Sequence, residues 1–274
     1  MEVTKKRMIL SSLLVSLTLC SCGVRQYESE LDRLLACPPS PYAAHVFSHQ
    51  GSGIEECSET FAAYDLAISY GSRYLEQDLQ MSSDGVLYCC HDATPKGLTG
   101  VEKLFSEMSS QEIDELRTTL DNQCIPRLSA VFERYGKAVT YVVELRQNEN
   151  MLDAFVQLTQ KYGLEDQVIV QSFDLSQLQQ MEELLPDMPK LFLCSDSSLF
   201  EEALHLSYVD IIGVSGGLFT QDNCDRAHAA GKQFNVFVVN YTSSIRTAIE
   251  MGADSYFTDF TGKALMLEEL YRKN

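Results

Sequence analysis

Apolar and polar positions along this chain follow two interleaved rhythms. Short, mostly apolar runs recur at residues 44–48, 74–79, 86–90, 139–143, 167–171, 191–194, 208–214, 235–239 and 255–258. Between them, residues 58–69, 128–135, 150–162, 175–184, 199–203, 221–230, 243–251 and 262–271 carry apolar positions three or four apart. Phe61, Tyr64, Ala67 and Ile68 show the spacing. The first pattern predicts buried strands, and the second predicts helices with one core-facing side. Strands alternating with helices of this length predict a parallel sheet. Nine strand candidates are close to the eight of a (β/α)₈ TIM barrel in a single domain. A doubly wound open sheet is the alternative. Gly51-x-Gly53 is too short for the glycine fingerprint of that fold.

Polar residues that interrupt the apolar runs cluster at strand ends. His49 follows the first run, His91 the third and Glu144 the fourth; Glu76 and Asp78 lie in the second. Side chains alternate along a strand, so Glu76 and Asp78 share a face. On spacing alone they are either two solvated acids or the ligands of a cation. Two carboxylates on one buried face are costly without a positive partner. A hard divalent cation, Ca²⁺ or Mg²⁺, takes such oxygens. Titratable residues at the C-terminal tips of four strands match where a barrel builds its active site. The five residues read as a metal site (Glu76, Asp78, Glu144) beside an acid–base histidine pair (His49, His91).

The same segments resemble the glycerophosphodiester phosphodiesterase family. The family order His-Arg-Gly, Glu-Asn-Thr, Glu-x-Asp, Asp-Gly, His-Asp and Glu-x-Lys is matched in sequence. The residues here are His49-Gln50-Gly51, Ser58-Glu59-Thr60, Glu76-x-Asp78, Asp84-Gly85, His91-Asp92 and Glu144-x-Arg146. The resemblance covers roughly residues 45–260 and implies a metal-dependent phosphodiesterase on a TIM barrel. Its substrate would be a glycerophosphodiester, cleaved to glycerol 3-phosphate and an alcohol. The nucleophile implied is the neighbouring glycerol hydroxyl, through a cyclic phosphate. Three positions depart from the pattern: Gln50 stands for Arg, Ser58 for Glu and Arg146 for Lys. By the resemblance Gln50 and Arg146 adjoin the phosphate, and Arg146 keeps the charge. A weakly active or non-catalytic protein binding phosphodiester headgroups is the alternative, as is a related phospholipase-type phosphodiesterase.

The remaining composition refines this picture. Of 274 residues, 45% are hydrophobic, enough for a large core, and the net charge is −18. Such acidity argues against nucleic-acid binding and against unassisted adsorption to anionic lipid. Lys5, Lys6 and Arg7 precede an apolar run at 8–19, too short to span a membrane comfortably. This signal pattern ends at Leu19-Cys20-Ser21-Cys22, which resembles a bacterial lipoprotein box with Cys22 as the lipidated residue. The expectation is a leader at 1–22, a tether at 23–43 that ends in Pro38, Pro39 and Pro41, and a barrel at 44–274. That places an exported domain on a membrane anchor; plain signal cleavage or an uncleaved anchor are the alternatives. Seven cysteines lie beyond the leader, an odd number, and none shows zinc spacing. Adjacent Cys89 and Cys90 face opposite sides of a strand and read as packing residues.

Residues 93–124 have weak strand signals and one capping box, Ser109-x-x-Glu112. The family resemblance puts an insertion over the barrel mouth here; an ordinary loop is equally consistent. Ser58 or Glu59 is expected to open the helix at 58–69. Ser172, Phe173 and Asp174 end a strand and either touch substrate or, for Asp174, cap a helix. Asn240 and Asp259 either face the mouth or serve turns and caps. Phe237 is either a pocket wall or strand packing.

Overall fold

The computed structural model describes residues 30–146 and 151–272. The leader, Cys22 and the start of the tether lie outside the described residues. The chain divides into two units at Pro38, and residues 30–35 of the first are helical. The second unit begins at Pro39. Its first residues are tied down: Ser40 N–H donates to Gly71 C=O at 2.9 Å, and Ala43–His45 form a 3₁₀ turn.

Among the described residues, nine strands form one sheet. They are β1 (Val46–Ser48), β2 (Tyr74–Met81), β3 (Leu87–Cys89), β4 (Thr140–Leu145), β5 (Val168–Ser172), β6 (Lys190–Cys194), β7 (Ile211–Val214), β8 (Gln233–Val236) and β9 (Ser255–Thr258). Eight of them pair in parallel, and Ser48 beside Leu75 closes β1 onto β2. This is a (β/α)₈ barrel. Phe47, Val142, Ile169, Leu191, Leu193, Ile211 and Phe257 pack together with Tyr74 and Phe237. They come from seven of the barrel strands and the residue after β8, on the inward parity of each, so the barrel is filled rather than hollow.

The ninth strand corrects an expectation. β3 is not a barrel strand; it runs antiparallel to β2, with Leu79 opposite Cys89 and Met81 opposite Leu87. β2 outruns β1, and its far half is left open on that side. The chain reverses at Asp84-Gly85, where Gly85 takes φ +84°, a left-handed value that favours glycine. The returning strand therefore fills the open edge and carries His91 back to the rim. His91 reaches the site from a hairpin, not from the C-terminal tip of a parallel strand.

The helix after β1 is Phe61–Ser69, capped by the Thr60 hydroxyl rather than by Ser58 or Glu59. Glu59 cannot open it, because its φ of +59° is left-handed. Gly51, at φ +80°, lets the preceding turn lie against this helix; a Cβ there would come within 2.6 Å of the Ala63 backbone. Residues 93–124 contain a short helix, Ser110–Asp114, with the expected capping box. They are not a bare loop: Phe105, Met108, Ile113 and Ile125 form a second core with Tyr88 and Cys90 of the hairpin.

Candidate active site

Strand parity assembles the site. Tyr74 packs in the barrel interior, so Glu76 and Asp78, two and four residues on, also point inward. The register sets Glu144 beside Asp78 and Gln171 beside Glu144. One cavity of about 220 Å³ is lined by His49, Glu76, Asp78, His91, Glu144 and Arg146, among others. All five residues expected to share a site thus meet at one end of the barrel, with Arg146. Phe173, Leu193, Phe237 and Phe257 supply the apolar wall, and Phe173 meets Phe237 edge-on at 5.7 Å. Phe237 therefore fills both of its expected roles, pocket wall and barrel packing.

The carboxylates are buried and densely held. Glu76 accepts from the Gln50 backbone N–H at 2.8 Å and from Gln171 Nε2 at 2.9 Å. Asp78 accepts from Gln50 Nε2 at 2.9 Å and Arg146 Nη1 at 3.2 Å; the same Arg146 nitrogen donates to Glu144 at 2.8 Å. Gln50 and Arg146 both reach the site, where each orients carboxylates. Burial, then repulsion from Asp78, pushes the Glu76 carboxyl well above its usual range. The same two causes raise Glu144 to about 8, against the pull of Arg146. One guanidinium does not offset so many buried acids.

A hard dication fits this donor set. Donor atoms of His49, Glu76 and Asp78 lie within 4.8 Å of one another, the one such cluster among the described residues. Glu144 shares the cavity but is not in that tight cluster.

Each histidine is anchored through Nδ1. His49 Nδ1 meets Asp259 Oδ1 at 2.7 Å, and His91 Nδ1 meets Asp92 Oδ1 at 2.8 Å. Both bonds leave Nε2 for the cavity. The anchors differ: the Asp92 side chain is 65% exposed and that of Asp259 15%. Asn240 Nδ2 donates to the second Asp259 oxygen at 2.5 Å, and Asn240 Oδ1 accepts the Asp259 N–H at 2.9 Å. Burial raises the Asp259 carboxyl, but its bonds and charge contact with His49 and the Asn240 amide outweigh that and hold it below its usual range. Asn240 and Asp259 thus serve the site rather than only a turn. Asp174 instead caps the helix Leu175–Leu184, accepting from Ser176 N–H at 2.8 Å.

Glu59 entered the sequence reading only in the Ser58-Glu59-Thr60 motif and as a helix opener, and Gln171 was not singled out at all. Glu59 is 1% exposed and accepts the Asp78 backbone N–H at 2.8 Å and the Tyr64 hydroxyl. Burial and the Asp78 charge raise its carboxyl well above the usual range. The one signal for Gln171 was its inward parity at the end of a strand run.

Residues 49–263 match the model of the glycerophosphoryl diester phosphodiesterase family, most of the chain. The chain belongs to that family. It is accordingly an enzyme of the phosphodiesterase class. A glycerophosphodiester phosphodiesterase of Bacillus altitudinis is 23% identical over 241 residues, covering 82% of this chain and 98% of the relative. One from Bacillus subtilis (strain 168) is 25% identical over 287 residues, covering 93% and 96%. Among solved structures, a putative glycerophosphoryl diester phosphodiesterase of Agrobacterium tumefaciens superposes with TM-score 0.77 at 18% identity, over 84% of this chain and 99% of the other. A phosphodiesterase of Oleispira antarctica, solved with the product sn-glycerol-3-phosphate, gives 0.72 at 20% identity, over 82% and 96%. These likenesses agree on the barrel.

Proposed function

We propose that the protein hydrolyses glycerophosphodiesters to glycerol 3-phosphate and an alcohol, using a divalent cation, Ca²⁺ or Mg²⁺. The observation that carries this reading is the single cavity where two Nδ1-anchored histidines face three buried carboxylates and one guanidinium. Glu76, Asp78 and Glu144 would hold the cation. When bound, it supplies positive charge against the charge that builds on the phosphoryl oxygens.

The chain's own residues do the rest. Arg146 leans across the rim and is placed to meet a phosphate oxygen, while Gln50 fixes Glu76 and Asp78. His49, oriented by an ionised Asp259, takes the proton from the attacking glycerol hydroxyl at Nε2. His91 gives a proton to the departing alcohol oxygen as the P–O bond breaks, which spares the release of an alkoxide. The cyclic phosphate then opens by the same path in reverse: His91 takes a proton from water, and His49 returns one to the glycerol oxygen.

The test is a panel of glycerophosphodiesters with each cation and with chelator. Turnover with cation and none with chelator is expected. Headgroup binding without turnover under any cation would favour the non-catalytic reading that Gln50 and Ser58 motivate.

The leader residues support a further part of the proposal, that the mature chain starts at a lipidated Cys22 outside the cytoplasm. Mass spectrometry of the mature N-terminus should find a diacylated Cys22 in a membrane fraction. An intact Met1 or an unmodified soluble product would refute it.

A further inference from the structure

Glu59 is a further departure from the family order, which has Asn in the middle of Glu-Asn-Thr. It is buried, yet it contributes no atom to the His49–Glu76–Asp78 cluster. Both carboxylate oxygens are spent elsewhere. Oε1 accepts the Asp78 backbone N–H at 2.8 Å, and Oε2 takes the hydroxyl of Tyr64, a buried residue of the helix Phe61–Ser69.

The Asp78 N–H needs such a partner. β1 pairs with β2 at Ser48 and Leu75, and β3 takes over that edge at Leu79. Among the described residues, no strand lies beside the edge between those two points. The returning hairpin satisfies the Asp78 C=O, through the Cys90 N–H at 2.8 Å, but not the N–H. A buried N–H without an acceptor is costly. The Glu59 side chain stands in for the missing strand.

The backbone is bent to bring it there. Gln50 and Glu59 take φ +53° and +59°, two of the three non-glycine residues with positive φ among the described residues. The Glu59 N–H donates to the Gln50 C=O at 3.1 Å and closes the turn between them. L side chains disfavour this conformation, and it persists where the surroundings over-determine it. Both residues then serve the same acids. Gln50 holds the side chains of Glu76 and Asp78, and Glu59 holds the Asp78 main chain.

We propose that Glu59 is a positioning residue: it fixes the Asp78 backbone at the gap between β1 and β3 and so aims the Asp78 carboxylate at the cation site. Its effect on turnover rests on the phosphodiesterase reading above; its effect on cation binding does not. Partners that orient metal ligands are commonly worth about tenfold to a hundredfold in affinity or activity.

The experiment compares the full chain with Glu59→Gly, Glu59→Gln and Tyr64→Phe. It measures Ca²⁺ and Mg²⁺ affinity by calorimetry, melting in chelator, and kcat and KM on a glycerophosphodiester. Glycine suits the left-handed backbone, so Glu59→Gly removes the carboxylate without opposing the turn. Folded Glu59→Gly should bind cation about tenfold or more weakly, with kcat lowered and KM little changed. Glutamine keeps an acceptor oxygen at the same reach, so Glu59→Gln should bind cation within about threefold of the unmodified chain. Tyr64→Phe leaves Glu59 in place but removes its anchor, and should weaken cation binding by about threefold or more. A folded Glu59→Gly with unchanged cation affinity and kcat would make Glu59 a packing residue and overturn the proposal. Glu59→Gln as weak as Glu59→Gly would put charge in control rather than the acceptor, and would overturn it too. If Glu59→Gly does not fold, Tyr64→Phe decides, and unchanged cation affinity there overturns the proposal. An unmodified chain that binds neither cation overturns it as well. Cation binding without turnover in the unmodified chain would count against the phosphodiesterase reading alone, and the affinity comparison would still decide the role of Glu59.

Discussion

Replacing His91 by Ala is expected to cut turnover by roughly a hundredfold or more, the usual worth of a general acid or base, while leaving cation affinity nearly unchanged. His91 reaches the site from the hairpin and spends Nδ1 on Asp92, and its donor atoms are not in the His49–Glu76–Asp78 cluster. Glu76→Ala should behave differently. It removes a buried carboxylate from that cluster, so calorimetric cation affinity and turnover should fall together. His49→Ala is the sharper case, because His49 does lie within the cluster. Lost turnover with retained cation binding would place His49 in proton transfer. If His91→Ala weakens cation binding as much as Glu76→Ala does, His91 is a ligand and the division of labour above is wrong.

The second large effect is on stability. Burial holds the Glu144 carboxyl at about 8, above its ordinary 4.5, and raises Glu76 as well. Between those two values the folded, cation-free protein binds more protons than the unfolded chain. Stability therefore falls as pH rises from about 4.5 towards about 8, by up to about 1.4 kcal/mol per pH unit for each proton involved. A cation binds the ionised carboxylates, so it should restore most stability at the alkaline end. At a hundredfold excess over Kd the gain is about 2.7 kcal/mol. Melting curves at several pH values, with chelator and with Ca²⁺ or Mg²⁺, measure both trends. Glu144→Gln should flatten the slope in chelator. Stability that rises with pH across this window without cation, or that ignores cation at pH 8, would contradict the account.

The period-two pattern of residues 74–79 and 139–144 made much of this legible. It put Glu76, Asp78 and Glu144 on inward faces, and a parallel pairing of neighbours then sets Asp78 beside Glu144. What stayed illegible depends on contacts distant in sequence. His49 and Asp259 are 210 residues apart, and no local pattern joins them until β1 pairs with β9. Asn240 and Asp259 are also common turn residues, so their types alone carried no signal. The direction of β3 was hidden because an apolar run looks the same either way. The clue was Asp84-Gly85, a tight-turn dipeptide that implies reversal rather than a crossover. Glu59 escaped because a left-handed backbone at a non-glycine residue leaves no mark in the sequence.

The hairpin splits the site between two inheritances. The carboxylates belong to strands whose pairing closes the barrel, so the architecture fixes their places. His91 and the segment that follows it hang from the free edge of β2, with a core of their own around Tyr88 and Phe105. Two bonds, from the Cys90 N–H to the Asp78 C=O at 2.8 Å and from Gln80 Nε2 to the His91 C=O at 3.1 Å, keep the histidine in register with the carboxylates. Residues 93–124 lie outside the barrel strands, so they can lengthen or shorten without breaking the pairing that closes the barrel. Descendants of this chain are therefore free to acquire new tastes in alcohols without relearning how to grip a phosphate.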